Sequence, residues 1–421
     1  MTLGRPVTVA RITVILVVCV LSTGATAQTK LSPPATPIPL TYFGIHVHYS
    51  SDRDWPGVPF GSWRLNTEHV EWYHIAPQKG QWDFKDLDKD VGLAEKHNVQ
   101  ILYTLGYTPT WASARPQSAN AGRTAEPRDI NDWRDYVRTV ATRYKGKIQA
   151  YEVWNEPNGD FYSGTVDQLV RLAKEAYTIL HEVDPTITVV SPAPSGSGVP
   201  YLDKYLAAGG GKYADVIGFH FYVSPNPSEQ MIDLAAKVKQ TMAKYGVSEK
   251  PLWCTETGYY MQSQDRQVKP LGNIFPVLTH DQAAAYIARA YILNWAADVP
   301  RLYWWGWDDP NMGMADGVGP NIGTIRKPSA EAYDRVAHWL LGAVMTSCSS
   351  DASGTWVCDI TRQKDYGGHL IWNTRGDTTF TIPKAWGARW QSNLLFQGRS
   401  VEGAKETQIG TKPILLENKV P

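Results

Sequence analysis

Cysteine is scarce in this chain, with four in 421 residues, and neither sign of charge is in excess. Lys and Arg together number 41 and so do Asp and Glu. That balance excludes the basic face that nucleic acid requires and the acidic tail of many interaction proteins. The sequence also has no low-complexity block and no internal repeat beyond an alternation of short and long segments described below. Its N-terminal apolar run, residues 12–21, falls short of the roughly 20 residues needed to cross a bilayer, so no stable membrane insertion is expected. What the chain does have is ordinary core material, 43% hydrophobic, and an unusual aromatic content of 17 Trp and 22 Tyr. Such rings serve cores, and they also stack on uncharged sugar faces.

The first 27 residues read as a cleavable export signal: Arg5 and Arg11, then the apolar run, then small residues ending in Ala25-Thr26-Ala27. Val18 is branched where a lipid-anchor signal wants a small residue, so Cys19 is not read as an acylation site. A secreted or periplasmic location follows, and with it an environment that permits disulfides. Cys348 and Cys358 flank a turn-rich stretch and are the expected bridge. Cys254 sits within an apolar run and is read as a packing residue.

Residues 28–40 are Pro-rich and polar and are expected to be an extended lead-in. From residue 41, β-branched or aromatic runs alternate with segments of helical period, the mark of stacked βα units. Strands are expected at 42–48, 62–65, 99–105, 149–155, 186–191, 214–221, 251–256 and 301–307. Helices are expected at 84–97, 130–144, 166–183, 201–208, 229–245, 280–297 and 329–341, with starts signalled by Asp129, by Thr165 and Gln168, and by Thr279 and Gln282. Eight strands suit a closed (β/α)8 TIM barrel over residues 41–341. The connection over 49–61, with Pro56, Gly57 and Pro59, is a loop where such a barrel usually has a helix. After residue 341 short alternating runs at 355–361, 369–372, 378–382, 390–395 and 413–416 predict a small β-sandwich over 342–421.

Two of the predicted strands end alike. Tyr151-Glu152-Val153-Trp154-Asn155-Glu156-Pro157 closes on a carboxylate released by proline, and Trp253-Cys254-Thr255-Glu256-Thr257-Gly258 closes on another released by glycine. Chemistry in such barrels sits at the C-terminal ends of the strands, and a carboxylate pair there is what glycoside hydrolysis requires. Together these two motifs resemble the retaining glycoside hydrolases of clan A, and within that clan the chain is most similar to family 39. Ser62-Trp63-Arg64-Leu65, the 77–84 helix approach, Thr108-Pro109-Thr110-Trp111-Ala112-Ser113 and Gly218-Phe219-His220-Phe221-Tyr222 match as well. Ala76 stands where relatives often carry Glu before the proline of the helix approach, a difference away from the catalytic pair.

The resemblance implies Glu156 as general acid/base and Glu256 as nucleophile, with Asn155 holding the hydroxyl next to the reacting carbon. His220, Tyr222 and Arg64 would line the pocket and keep Glu256 ionised and oriented. It implies no cofactor, and an oligosaccharide or polysaccharide as substrate. From the residues themselves, the carboxyl beside Trp154 is expected to have a raised pKa and the one beside Arg64 and Tyr222 to stay charged. Strand alternation puts Trp305 and Trp307 on one face, with Trp305 as the floor of the sugar pocket. Trp111 is a second stacking candidate, His48 a sugar contact, His46 structural, and Glu152 a buried partner for a basic side chain.

Two other classes compete. His46-Val47-His48 on the first strand is also how metal-dependent amidohydrolase barrels begin, but residues 186–191 lack the histidine that class wants. A barrel that binds polysaccharide without cleaving it is the third reading, and it usually lacks one of the two carboxylates.

Overall fold

The computed structural model describes residues 28–51, 54–67, 69–317, 321, 323–362 and 365–420. The expected export signal, residues 1–27, lies outside them. A two-residue strand, β1 (Lys30–Leu31), precedes eight parallel strands: β2 (Phe43–Ile45), β3 (Ser62–Leu65), β4 (Gln100–Leu105), β5 (Ala150–Val153), β6 (Thr188–Val190), β7 (Ile217–His220), β8 (Leu252–Thr257) and β9 (Leu302–Trp304). They form one sheet in the order β6-β5-β4-β3-β2-β9-β8-β7. Parallel bridges Val190–Val216 and Ser195–His220 join its two ends, so the sheet closes into a TIM barrel.

The helices are α1 (Trp72–Ile75), α2 (Lys85–His97), α3 (Ile130–Arg143), α4 (Val166–Val183), α5 (Val199–Ala207), α6 (Gln230–Lys244), α7 (His280–Ala296) and α8 (Pro328–Leu340). Three of these helices start on a side-chain cap: Asp129 accepts the Asn131 amide, and Thr165 with Gln168 and Thr279 with Gln282 form reciprocal capping boxes. Among the described residues no helix lies between β2 and β3, in keeping with the prolines of that loop.

Inside the barrel the side chains are layered. Leu102, Ala150, Val190, Val216, Trp253 and Tyr303 form an apolar floor. Two residues further along β4 and β5 come Thr104 and Glu152, which meet Arg64 from β3 in a fully buried polar layer. The strand ends above it carry the carboxylates.

Beyond a small hairpin of β10 (Ala315–Asp316) and β11 (Ile325–Arg326), the chain forms β12 (Val344–Ser350), β13 (Thr355–Thr361), β14 (Gly367–Asn373), β15 (Thr378–Thr381), β16 (Trp390–Ser392), β17 (Gly398–Ser400), β18 (Glu406–Ile409) and β19 (Ile414–Glu417). One sheet runs β1-β12-β13-β14-β19-β16-β17, and β15 pairs with β18 in a second. Ile371, Ile382, Val401, Ile409, Ile414 and Leu416 fill the space between them, giving a β-sandwich. Cys348 and Cys358, opposite each other across β12 and β13, are disulfide-bonded. The 28–40 stretch is more than a lead-in, because Lys30 and Leu31 add an edge strand to the C-terminal sheet.

One buried group ties stability to pH. Asp90 on α2 accepts a hydrogen bond from Ser50 Oγ at 2.5 Å, and burial pushes its carboxyl from 3.8 up to about 6. A raised folded-state pKa means the protonated form favours folding. That contribution is complete below 3.8 and is lost as pH rises through about 6, by roughly 3 kcal/mol. Asp90→Asn is therefore expected to raise the melting temperature at pH 7 and to leave it nearly unchanged at pH 4, as calorimetry at the two pH values would show.

Candidate active site

Glu156 follows β5 and Glu256 lies in β8, so both stand at the C-terminal end of the barrel. β5 stops at Val153, and the chain then turns through left-handed backbone at Trp154 (φ 68) and Glu156 (φ 39). Tyr107, past the end of β4, is left-handed as well (φ 61). Such conformations are uncommon outside glycine and gather at functional sites, where the surrounding packing offsets about 1 kcal/mol or more each. Here the Trp154 ring packs among Trp133 and Tyr162 and donates Nε1–H to the Phe161 carbonyl at 2.8 Å. This anchors the loop and leaves Glu156 directed at the opening.

The two carboxylates and His220 converge, each with one ligand atom within 4.8 Å of the others. His220 Nδ1 is 2.8 Å from Glu156 Oε1 and 3.7 Å from Glu256 Oε1. Glu256 accepts from the Tyr222 hydroxyl at 2.8 Å on Oε1 and from Arg64 Nη1 at 2.7 Å on Oε2. Arg64 is fully committed: it also donates to Glu152 Oε2 and, through Nη2, to Asn155 Oδ1 at 2.8 Å. Asn155 Nδ2 in turn donates to the Tyr107 hydroxyl at 3.2 Å. A cavity of about 490 Å³ opens onto this group.

Arg64, Asn155, Glu156, His220, Tyr222 and Glu256 thus form one connected network, and His48 and Trp305 face the same cavity. His48 is held by Asp308, whose Oδ1 lies 3.0 Å from Nδ1, and its Nε2 is buried without a hydrogen-bond partner among the described residues. Trp305 packs edgewise on His48, with centroids 4.6 Å apart, and donates Nε1–H to Asp309. Trp111 stands outside the cavity wall. Its Nε1 donates to the Ala76 carbonyl and its ring packs edge-on against Trp72, because the chain after β4 folds back over the 72–84 segment. Trp307 parts from Trp305: β9 ends at Trp304, strand alternation goes no further, and Trp307 is 98% buried against the Gly323 carbonyl. Asn66, Glu71, Phe161 and Asp309 also line the cavity and carry no strand signal. The adjacent Asp308 and Asp309 at the end of the last barrel strand are the one local hint.

The electrostatics of the carboxylates are the reverse of the sequence expectation. Burial pushes Glu156 up, but the hydrogen bond and charge of His220, helped by Ser195 and Arg64, outweigh it and hold the carboxyl below its usual range. For Glu256 burial is the largest influence and prevails over His220 and Arg64, so this carboxyl is raised. Trp154, two residues earlier in sequence, packs into the helix layer, and the neighbour that governs Glu156 is an imidazole 64 residues further on. His220→Ala is expected to release Glu156 upward and so move the alkaline limb of the kcat/KM profile to higher pH; an unmoved limb would remove His220 from this role.

Glu156, His220 and Glu256 are also the donor set a metal ion would use among the described residues. Glu256 already faces the Arg64 guanidinium, which opposes a second cation there. His46 and His48 do not share a ligand position: His46 Nε2 faces the Thr255 carbonyl, and His48 faces Asp308.

Against known proteins, residues 66–170 match the sequence model of glycosyl hydrolase family 10. The chain is 32% identical over 150 residues to "Endo-1,4-beta-xylanase 2" of Claviceps purpurea, covering 32% of this chain and 44% of that one. Over 260 residues it is 23% identical to "Beta-xylosidase" of Geobacillus stearothermophilus, covering 54% and 49%. The chain spans less than half the length of these curated relatives. Among solved structures, a family 39 glycoside hydrolase from Bacteroides cellulosilyticus WH2 superposes with a TM-score of 0.72 at 21% identity, covering 90% of this chain and 81% of that one. The fold is the (β/α)8 barrel with a β-sandwich that this glycoside hydrolase shares. A family 30 endoxylanase of Clostridium papyrosolvens C71 aligns with a TM-score of 0.64 at 15% identity over 92% and 97% of the two chains. A monomeric beta-xylosidase of Caulobacter crescentus CB15 aligns at 0.62 and 16% over 92% and 97%. The barrel therefore extends past the residues matched by the family 10 model, on both sides of them.

Proposed function

We propose that the protein is a retaining glycoside hydrolase that cleaves an oligosaccharide or polysaccharide by double displacement. The observation that carries this reading is the carboxylate separation. Oxygens of Glu156 and Glu256 within 4.8 Å suit direct attack on the anomeric carbon, whereas an inverting pair stands roughly 6.5–9.5 Å apart to admit water.

In this reading Glu256, oriented by Arg64 and Tyr222, attacks the anomeric carbon as Glu156 protonates the departing oxygen. Glu156 then takes a proton from water, which releases the sugar with its configuration kept. The proton needed on Glu156 is within reach of His220, 2.8 Å away. Glu256 attacks as the carboxylate, with the positive charge of Arg64 beside it. Asn155, fixed by Arg64 and Tyr107, presents its amide to the hydroxyl beside the reacting carbon, and His48, held by Asp308, lines the cavity beside it. Trp305 forms the floor under the ring.

The names of the relatives favour a xylan-type substrate, and the N-terminal signal favours export, consistent with the absence of a helix long and apolar enough to cross a membrane among the described residues. Incubation with a panel of polysaccharides and aryl glycosides, with the first-formed anomer followed by NMR, tests the reading. Products that keep the substrate's configuration support it; an inverted first product, or no cleavage across the panel, contradicts it.

A further inference from the structure

The loop that follows β8 lies beside the catalytic cavity and builds a second concavity, about 970 Å³, that shares no lining residue with it. Its walls carry the amides of Gln262, Gln267 and Asn273 and the rings of Pro225, Pro270 and Pro276. No carboxylate is among its described lining residues. Its one guanidinium, Arg266, is neutralised by Asp265 and also donates to the Gly317 carbonyl. Gln262 accepts from the His280 amide, while Gln267 and Asn273 make no side-chain hydrogen bond among the described residues.

This surface is built for an uncharged, hydroxyl-rich ligand. Side-chain amides both donate and accept, as sugar hydroxyls do, and the proline rings add apolar surface for sugar C–H groups. The guanidinium that lines the groove is already paired with Asp265, and no carboxylate is among the described lining residues.

The groove is also mechanically tied to the reaction centre. Two residues after Asn273, the Phe275 ring packs edge-on against Tyr222 with centroids 5.8 Å apart, and Tyr222 donates to Glu256. Tyr260 stacks on the other side of Phe275 at 5.2 Å, and Ser224 Oγ clips the Ile274 carbonyl at 2.8 Å. One aromatic ring thus separates the groove edge from the tyrosine that holds the nucleophile.

We propose that this groove binds a neutral segment of the polysaccharide chain remote from the cleaved linkage, so that a polymer is engaged at two places and a short glycoside at one. The inference rests on the hydrolase reading above. The test compares the full chain with Gln267→Ala/Asn273→Ala, both exposed positions, after thermal melting confirms the fold. Two readouts are needed: kinetics on polymer and on aryl glycoside, and retention in affinity gels cast with neutral polysaccharides (xylan, mixed-linkage glucan, galactomannan). The variant should raise KM on the polymer by about tenfold, the loss of two modest hydrogen bonds, with aryl glycoside kcat/KM unchanged and gel retention reduced. Equal effects on polymer and aryl glycoside, or no effect on either, would overturn the proposal. Should the native protein cleave nothing in the panel, the hydrolase reading fails and the gels decide the groove alone: retention that depends on Gln267 and Asn273 supports it, and its absence overturns it.

Discussion

Glu256→Ala is expected to lower kcat by about four to six orders of magnitude, equivalent to about 5.5–8 kcal/mol of lost transition-state stabilisation. The size follows from the role: without this carboxylate no covalent glycosyl-enzyme forms, and water must attack without a positioned base. The fold should survive the change. Arg64, the only partner that would be left as a buried charge, keeps Glu152 and Asn155 as acceptors, so no uncompensated ion results. The space freed beside Tyr222 and Arg64 would admit a small anion. Added azide should therefore restore turnover of activated aryl glycosides and yield a glycosyl azide of the opposite anomeric configuration. Near-native kcat in the variant, with melting unchanged, would remove Glu256 from the reaction.

The second large effect depends on the leaving group. Glu156→Ala should cost about 10³–10⁴-fold with sugar or alkyl leaving groups, which need a proton, and far less with dinitrophenolate, which does not. The contrast arises because only the protonation step is lost, while Glu256 with its Arg64 and Tyr222 hydrogen bonds stays intact. A plot of log kcat/KM against leaving-group pKa should steepen in the variant. An equal loss across all leaving groups would mean that Glu156 positions substrate instead of donating a proton.

Much of this site was legible because strand ends are written locally. The Asn-Glu-Pro and Glu-Thr-Gly endings mark both carboxylates, and apolar runs of the right length mark the strands that carry them. Legibility stopped where the outcome depends on contacts remote in sequence. Trp154 stands two residues before Glu156, yet it faces the helix layer, and the shift of Glu156 is governed by His220. Alternation through 305–307 failed because β9 ends at Trp304.

The cavity walls at Asn66, Glu71, Tyr107, Phe161 and Asp309 come from loops, whose residues obey no period. The sandwich shows the same limit. β12 (Val344–Ser350) is mostly small and polar, and it becomes a strand through pairing with β13 and with the two residues of β1, 313 or more positions earlier in the chain.

The most direct measurement of the central claim is capture of the covalent intermediate. The protein would be incubated with a 2-deoxy-2-fluoro aryl glycoside of the sugar that the panel identifies, then analysed as intact protein and as peptides by mass spectrometry. The account predicts a stoichiometric mass increase of one fluoroglycosyl unit, placed on Glu256 in the β8 peptide and absent from the Glu256→Ala variant. An adduct on another residue, or turnover with inverted product and no adduct, would contradict it.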